Sequence, residues 1–264
     1  MPGADEAAHA AAARSGADVI ILELEDFTPP ALRPRARQLS AQAFERWRHA
    51  GALAGVRINP LEGDGAADLA GIARPDVLMM SKVDAPEQVH RLEAAAPPGV
   101  ELVPNVESAR GLLRTGEIAR ASSRVTALLV ASEDMVVDLG TERSRGGAEL
   151  AYVRARFLVE CRAAGVEAID CPYTFSDVKG ALADARYARQ LGYRMKSLVD
   201  PSHTRAINAV FTPSRAELKK ARRIVVAFER ARAAGKARAK VGGALIEVPV
   251  YAAAKRLLAS AARS

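Results

Sequence analysis

Five apolar, β-rich runs of the chain end in charged or strongly polar side chains, and most of the groups able to do chemistry sit at those ends. The first run closes on Glu23, Glu25 and Asp26, the second on Arg57 and Asn59, and the third on Lys82. Two more run into Asn105-Val106-Glu107 and Ser132-Glu133-Asp134. Carboxylates arriving from adjacent strand ends suit a hard cation. Magnesium takes oxygen ligands, is held by one or two carboxylates and completes its shell with water or substrate oxygens. Glu107 and Asp134 supply such a pair, and the ion would act as a Lewis acid toward developing oxyanion charge. Arg57 carries the planar fork that grips a carboxylate through two hydrogen bonds, which lysine does less well. The plainer reading is that acids at strand ends cap the helices that follow. That suffices for Asp134 alone, whereas Arg57, Glu107 and Asp134 together point to a site. His203 reads as a structural or solvated loop histidine. Cys161 and Cys171 read as ordinary core or loop thiols, with neither a disulfide framework nor a metal spacing.

The elements that must position these groups alternate along the chain. Strands are expected at 19–24, 53–58, 77–82, 101–106, 125–131, 167–170 and 194–199, several of them near-continuous apolar runs, as in parallel strands buried on both faces. Helix-period segments lie between them. At 149–164, Leu150, Val153, Phe157, Leu158 and Cys161 share one face. The segment 214–234 opens with a capping box, Ser214 and Glu217. Repeated βα units imply right-handed crossovers and one parallel sheet, with ligands at the carboxyl ends of the strands. Seven strands are one short of a (β/α)8 barrel, and the chain opens on a helix pattern at 4–14. Either the sheet is open or a first strand is missing. From about Pro201 the pattern changes to helices around a Gly242-Gly243 turn, which reads as a C-terminal extension.

Composition narrows the function classes. The 264 residues are 49% hydrophobic and 26% charged, which argues against disorder and allows a normal core. Apolar runs such as 125–131 fall far short of the ~20 residues of a membrane span. The N-terminus lacks the basic and apolar stretches of a secretory signal, so a soluble cytoplasmic protein is expected. Lys and Arg number 38 against 31 Asp and Glu, a net charge of +7. The cations fall mostly on helical patterns with Ala and Glu, and with 5% aromatic residues there is no stacking platform for nucleic acid. A phosphate-bearing small molecule such as coenzyme A fits the same charge, as does the absence of any specific partner.

These segments, taken in order, resemble the citrate lyase β-subunit-like (HpcH/HpaI aldolase) superfamily, in particular its acyl-CoA lyase branch. GADVIILELED is similar to the family's GAD-x-V-x-x-DLED segment and VRIN to its Arg-x-Asn strand end. LVPNVESARGLLRTGEIA resembles the Glu-bearing strand and helix, and LLVASEDMVVDLG the Asp-bearing one. GGALIEVPVYAAAKRLL resembles the C-terminal Gly-x-x-Asp-x-Pro segment. The resemblance implies a (β/α)8 TIM barrel over 1–200, lacking its first strand in this chain. A helical extension over 201–264 would reach a neighbouring subunit in a homotrimer or homohexamer. It implies Mg2+ on Glu107 and Asp134, with Glu25 and Asp26 holding metal-bound waters and Arg57 orienting the substrate. It places Lys82 and Lys196 in cofactor binding, and it gives the C-terminal acid, Glu247, the proton-shuttling role. The implied reaction is reversible carbon–carbon cleavage of a 3-hydroxyacyl-CoA such as malyl-, citramalyl- or citryl-CoA into acetyl-CoA and a 2-oxo acid. Two alternatives stay open: a CoA-independent aldolase acting on a hydroxy-oxo acid, and a weakened acyl-CoA or dicarboxylate-binding homologue.

The chain departs from the family pattern at several points. Glu247 stands where the family has Asp, so the reach grows by one methylene, and a misplacement of about 1 Å can cost roughly a hundredfold in rate. The family's DLED is Glu23-Leu24-Glu25-Asp26, and its Leu-Pro-Lys is Met80-Ser81-Lys82. A His and a Gln of the family have become Asp200 and His203. Met1-Pro2-Gly3 matches only the end of the family's first strand, so an upstream start or a trimmed chain is expected.

Overall fold

The computed structural model describes residues 1–261. Its strands are β1 (Val19–Glu23), β2 (Leu53–Ile58), β3 (Val77–Met80), β4 (Glu101–Val106), β5 (Ala127–Val130), β6 (Glu167–Asp170) and β7 (Met195–Lys196). They form one sheet in chain order, and every neighbouring pair is parallel. Both faces are packed. Val77 and Met79 of β3 join Val103, Ala127, Leu129 and Ala131 on one side, while Leu78 and Met80 are buried on the other. Burial on both sides removes the alternation of polar and apolar residues and leaves continuous apolar runs. The helix Arg33–His49 covers the sheet beside β2 and buries Phe44 and Trp47, whose indole Nε1 donates to the carbonyl of His9.

The seven-stranded sheet curls as a half-barrel, consistent with the expected TIM-barrel-like fold short of one strand, and does not close into a complete (β/α)8 barrel. Outside β1, the described chain adds only a bridge between Pro2 and Glu23, with the Glu23 amide donating to the Met1 carbonyl. At the other edge β7 spans two residues instead of the expected six. The Ser197 amide makes the last ladder bond, to the Asp170 carbonyl, which also accepts from the Ser197 hydroxyl.

The chain divides into two compact units, Met1–Ile207 and Asn208–Ser264. In the second, the helices Arg215–Ala233 and Val248–Ala261 enclose Ala221, Ile224, Phe228 and Ala254, and Phe228 stacks on Tyr251 at 4.6 Å. Ser214 and Glu217 form the expected capping box. The Gly242-Gly243 turn joins two short antiparallel strands, β8 (Ala239–Val241) and β9 (Ala244–Ile246), rather than helices. Both glycines have positive φ, +57° and +82°, as a two-residue hairpin turn with matching twist requires. Among the described residues no helix is long and apolar enough to cross a membrane.

Candidate functional site

The parallel register sets Arg57 beside Glu23, the last residues of β2 and β1 to pair. Arg57 Nε lies 2.5 Å from Glu23 Oε2, and its two terminal nitrogens lie 3.3 Å from Glu25 Oε2 and 3.8 Å from Glu107 Oε1. The Glu25 amide donates to Glu23 Oε1 at 2.7 Å, which folds the residues after β1 back over the strand end. Three buried acids therefore share one largely buried guanidinium. Burial pushes the Glu23 carboxyl upward against the pull of Arg57. Burial also drives Glu107 up to about 7; Arg57 opposes the shift, and the charges of Glu25 and Asp134 add to it. Asp134, in the first turn of the helix Glu133–Asp138, is raised as well, first by burial and further by Asp26 and Glu25.

Lys82 connects these acids from the end of β3. It is the one non-glycine residue with positive φ among the described residues, at +55°. Its amide donates to Glu107 Oε2 at 3.2 Å, while its ammonium contacts Glu25 Oε1 and lies 3.8 Å from Asp26 Oδ1. Gln88 braces this turn, accepting from the amides of Asp84 and Ala85 and donating to the Lys82 carbonyl. Lys82, Asp84, Glu107, Ser108, Asp134, Val137 and Asp138 line a cleft of about 270 Å³.

Two carboxylates from separate strand ends, Glu107 and Asp134, thus face one open cleft. Beside them Asn105 Oδ1 is buried without a hydrogen-bond partner. No cluster of three or more His, Cys, Asp or Glu forms an all-protein metal cage among the described residues. Two oxygen donors with room for water and substrate oxygens fit magnesium, which dehydrates reluctantly.

The structure brings Glu25, Asp26, Arg57, Lys82, Glu107 and Asp134 together, but not Lys196. The Lys196 ammonium has no exposed surface; it donates to Asp170 Oδ2 and the Cys171 carbonyl, and Asp184 contacts it as well. Arg154 binds the same two aspartates, so the four side chains form a closed, charge-balanced cluster. In this arrangement Lys196 is a buried, paired cation, set apart from the carboxylate cleft where a cofactor-binding role was expected of it. Glu247 belongs to the second unit, exposed and paired with Arg238 at 3.0 Å. Asn59 is a brace: its side-chain amide donates to Asp68 and to the Leu24 carbonyl. The sequence reading missed Glu23 as the main partner of Arg57, although parallel pairing of two strand ends would have suggested it. It also missed Ser108 and Asp138. Ser108 caps the helix Ala109–Leu113 through the Gly111 amide, and Asp138 accepts from the Ala109 amide.

Comparison with known proteins identifies the family. The profile of the HpcH/HpaI aldolase/citrate lyase family matches residues 1–201. The citrate lyase subunit beta of Leuconostoc mesenteroides subsp. cremoris is 31% identical, over 98% of this chain and 90% of that protein. A (3S)-malyl-CoA thioesterase of Cereibacter sphaeroides is also 31% identical, over 99% and 92%. The crystal structure of the protein CitE from Mycobacterium tuberculosis, in complex with magnesium, acetoacetate and coenzyme A, superposes with a TM-score of 0.79 at 28% identity. It covers 99% of this chain and 96% of that one. The chain belongs to the HpcH/HpaI aldolase/citrate lyase family.

Proposed function

We propose that this member of the HpcH/HpaI aldolase/citrate lyase family is a magnesium-dependent carbon–carbon lyase. It would cleave or form a 3-hydroxyacyl-CoA of the malyl, citramalyl or citryl type, with an acyl-CoA and a 2-oxo acid on the other side of the equilibrium. The observation that carries the reading is the convergence of Arg57, Glu107 and Asp134 at one set of strand ends, with Glu107 and Asp134 opening on the same cleft. Relatives named for citryl and malyl chemistry, and a structural neighbour holding magnesium with coenzyme A, support it.

Glu107 and Asp134 would hold the ion, which when bound supplies Lewis-acid stabilisation to an oxyanion. Glu23 fixes the Arg57 guanidinium by its Nε side and leaves the two terminal nitrogens facing Glu25 and Glu107. From there Arg57 offsets the carboxylate charge and orients an anionic substrate at the rim. Glu25 and Asp26 would hold water molecules bound to the ion. Glu247, contributed by a neighbouring copy in a homo-oligomer, would take and return the proton on the acyl carbon.

A panel assay tests the reading: acetyl- or propionyl-CoA with glyoxylate, pyruvate or oxaloacetate, with and without magnesium. Magnesium-dependent formation of a 3-hydroxyacyl-CoA is expected, and its absence across the panel would reject the lyase. The name of the Cereibacter relatives favours a second reading, hydrolysis of a malyl-CoA-type thioester. Release of free thiol with no 2-oxo acid would identify it.

A further inference from the structure

We propose that Lys82 is an internal counter-ion of the carboxylate cluster, whose ammonium competes with a divalent cation for the same acids. The inference rests on the magnesium reading above and concerns what sets the affinity of that site. Lys82 contacts Glu25, lies 3.8 Å from Asp26, and lines the cleft with Glu107 and Asp134. Four carboxylates, from two strand ends and a helix start, thus lie around this ammonium, two of them paired with it and two lining the same cleft.

The second cation of the site cannot play this part. Arg57 has a side chain only 15% exposed and is held by three acids. The Lys82 side chain is 49% exposed on a flexible four-carbon stem, so it can leave as a cation enters. Its backbone is committed instead. The left-handed conformation at Lys82 is disfavoured for a residue with a Cβ, and Gln88 holds the turn from both sides. That conformation sends the amide to Glu107 and the side chain across to Glu25. Backbone and ammonium therefore do separate work: one fixes a carboxylate, the other neutralises its neighbours.

This differs in sign from a lysine that binds cofactor phosphates. Removing a competing charge should tighten cation binding, whereas removing a phosphate ligand should weaken coenzyme A binding and leave the metal alone. The test is calorimetric titration of the full-length protein with magnesium chloride and, separately, with coenzyme A. Wild type is compared with Lys82→Met and Lys82→Arg, and Glu107→Ala serves as the site control. Magnesium should bind Lys82→Met about tenfold more tightly than wild type, the scale of removing one nearby unit charge from a partly screened site. Lys82→Arg should stay close to wild type, and coenzyme A affinity should not move in Lys82→Met. Equal or weaker magnesium binding by Lys82→Met, with wild-type binding intact, overturns the proposal alone. No magnesium binding in any variant overturns the magnesium reading and this proposal together. Lys82→Gln replaces the methionine variant if that one fails to fold.

Discussion

At the scale of single residues, the site is a problem of charge balance around Arg57. Its guanidinium sits among Glu23, Glu25 and Glu107, all nearly inaccessible. Breaking a buried pair by removing one partner leaves an uncompensated charge and costs about 3–5 kcal/mol. Arg57→Met should lose stability on that scale in urea melts, and Arg57→Lys distinctly less, because the charge survives while the fork is lost. Glu107→Gln should behave differently. Its carboxylate is crowded by burial and by Glu25 and Asp134, so a neutral amide of the same shape should leave the melting curve nearly unchanged. The same variant should abolish magnesium binding in calorimetry, and unchanged affinity would reject the ligand assignment. Cys161 and Cys171 give a pH prediction. Burial pushes both thiols up to about 12. The thiolate is the reactive form, so raising the pKa removes it at mildly alkaline pH, where an ordinary cysteine is partly ionised. Neither thiol should react with a disulfide reagent in native protein at pH 8 (a condition about half a unit below the usual thiol value), and both should react after unfolding. The acids themselves were legible in the sequence because charge is conspicuous at the end of an apolar strand. Their pairings were not. Which acid Arg57 faces depends on the β1–β2 register, and the burial of Lys196 depends on Arg154, Asp170 and Asp184 meeting it from three other segments.

At the scale of elements, the carboxylates are placed by short turns in which helices start almost on top of strand ends. The helix Ala109–Leu113 begins two residues after Glu107, and Gly111 lets it lie against the turn after Lys82. A Cβ there would sit 2.8 Å from the Val83 carbonyl oxygen and 3.4 Å from Asp84 Cα. Gly111→Ala sets two effects against each other. Helix propensity favours alanine by about 1 kcal/mol, while overpacking against backbone typically costs about 1–3 kcal/mol. The contact is with backbone that carries Lys82, so the clash should prevail. We expect a net loss of stability and weaker magnesium binding, read by urea melting and calorimetry; a stabilised variant with unchanged affinity would show that the turn yields freely. Strands β2, β4 and β6 match the sequence expectation at both ends. Expectation and structure part at β7, which pairs with β6 only through Met195 and Lys196; the Ser197 amide makes the last ladder bond, to the Asp170 carbonyl, and Leu198 and Val199 lie outside the strand.

At the scale of the whole molecule, the net charge of +7 conceals a partition. Asn208–Ser264 holds 13 Lys and Arg against 3 Asp and Glu, a net +10, so Met1–Ile207, with 25 against 28, is net −3. The total was legible from composition, but the partition needed the boundary between the units. In the second unit Arg230, Lys236, Arg238 and Lys240 rim a cleft of about 460 Å³ floored by Ala227, Ala231, Ala234 and Leu245. A concentrated positive field raises the local concentration of polyanions and speeds their arrival, an effect screened beyond about 10 Å at 0.1 M salt. A CoA thioester carries several phosphate charges, while a 2-oxo acid carries one or two carboxylates. The KM for the thioester should therefore rise more steeply with ionic strength than the KM for the oxo acid, with kcat nearly constant. Charge reversal of Arg230, Lys236 and Lys240 to Glu, leaving Arg238 to its pair with Glu247, should raise the thioester KM at low salt and flatten its salt dependence. The carboxylate cleft of the first unit shares no residue with this patch, so magnesium affinity should stay at the wild-type value. Parallel salt dependence of both KM values would show that the cations of the second unit serve solubility alone.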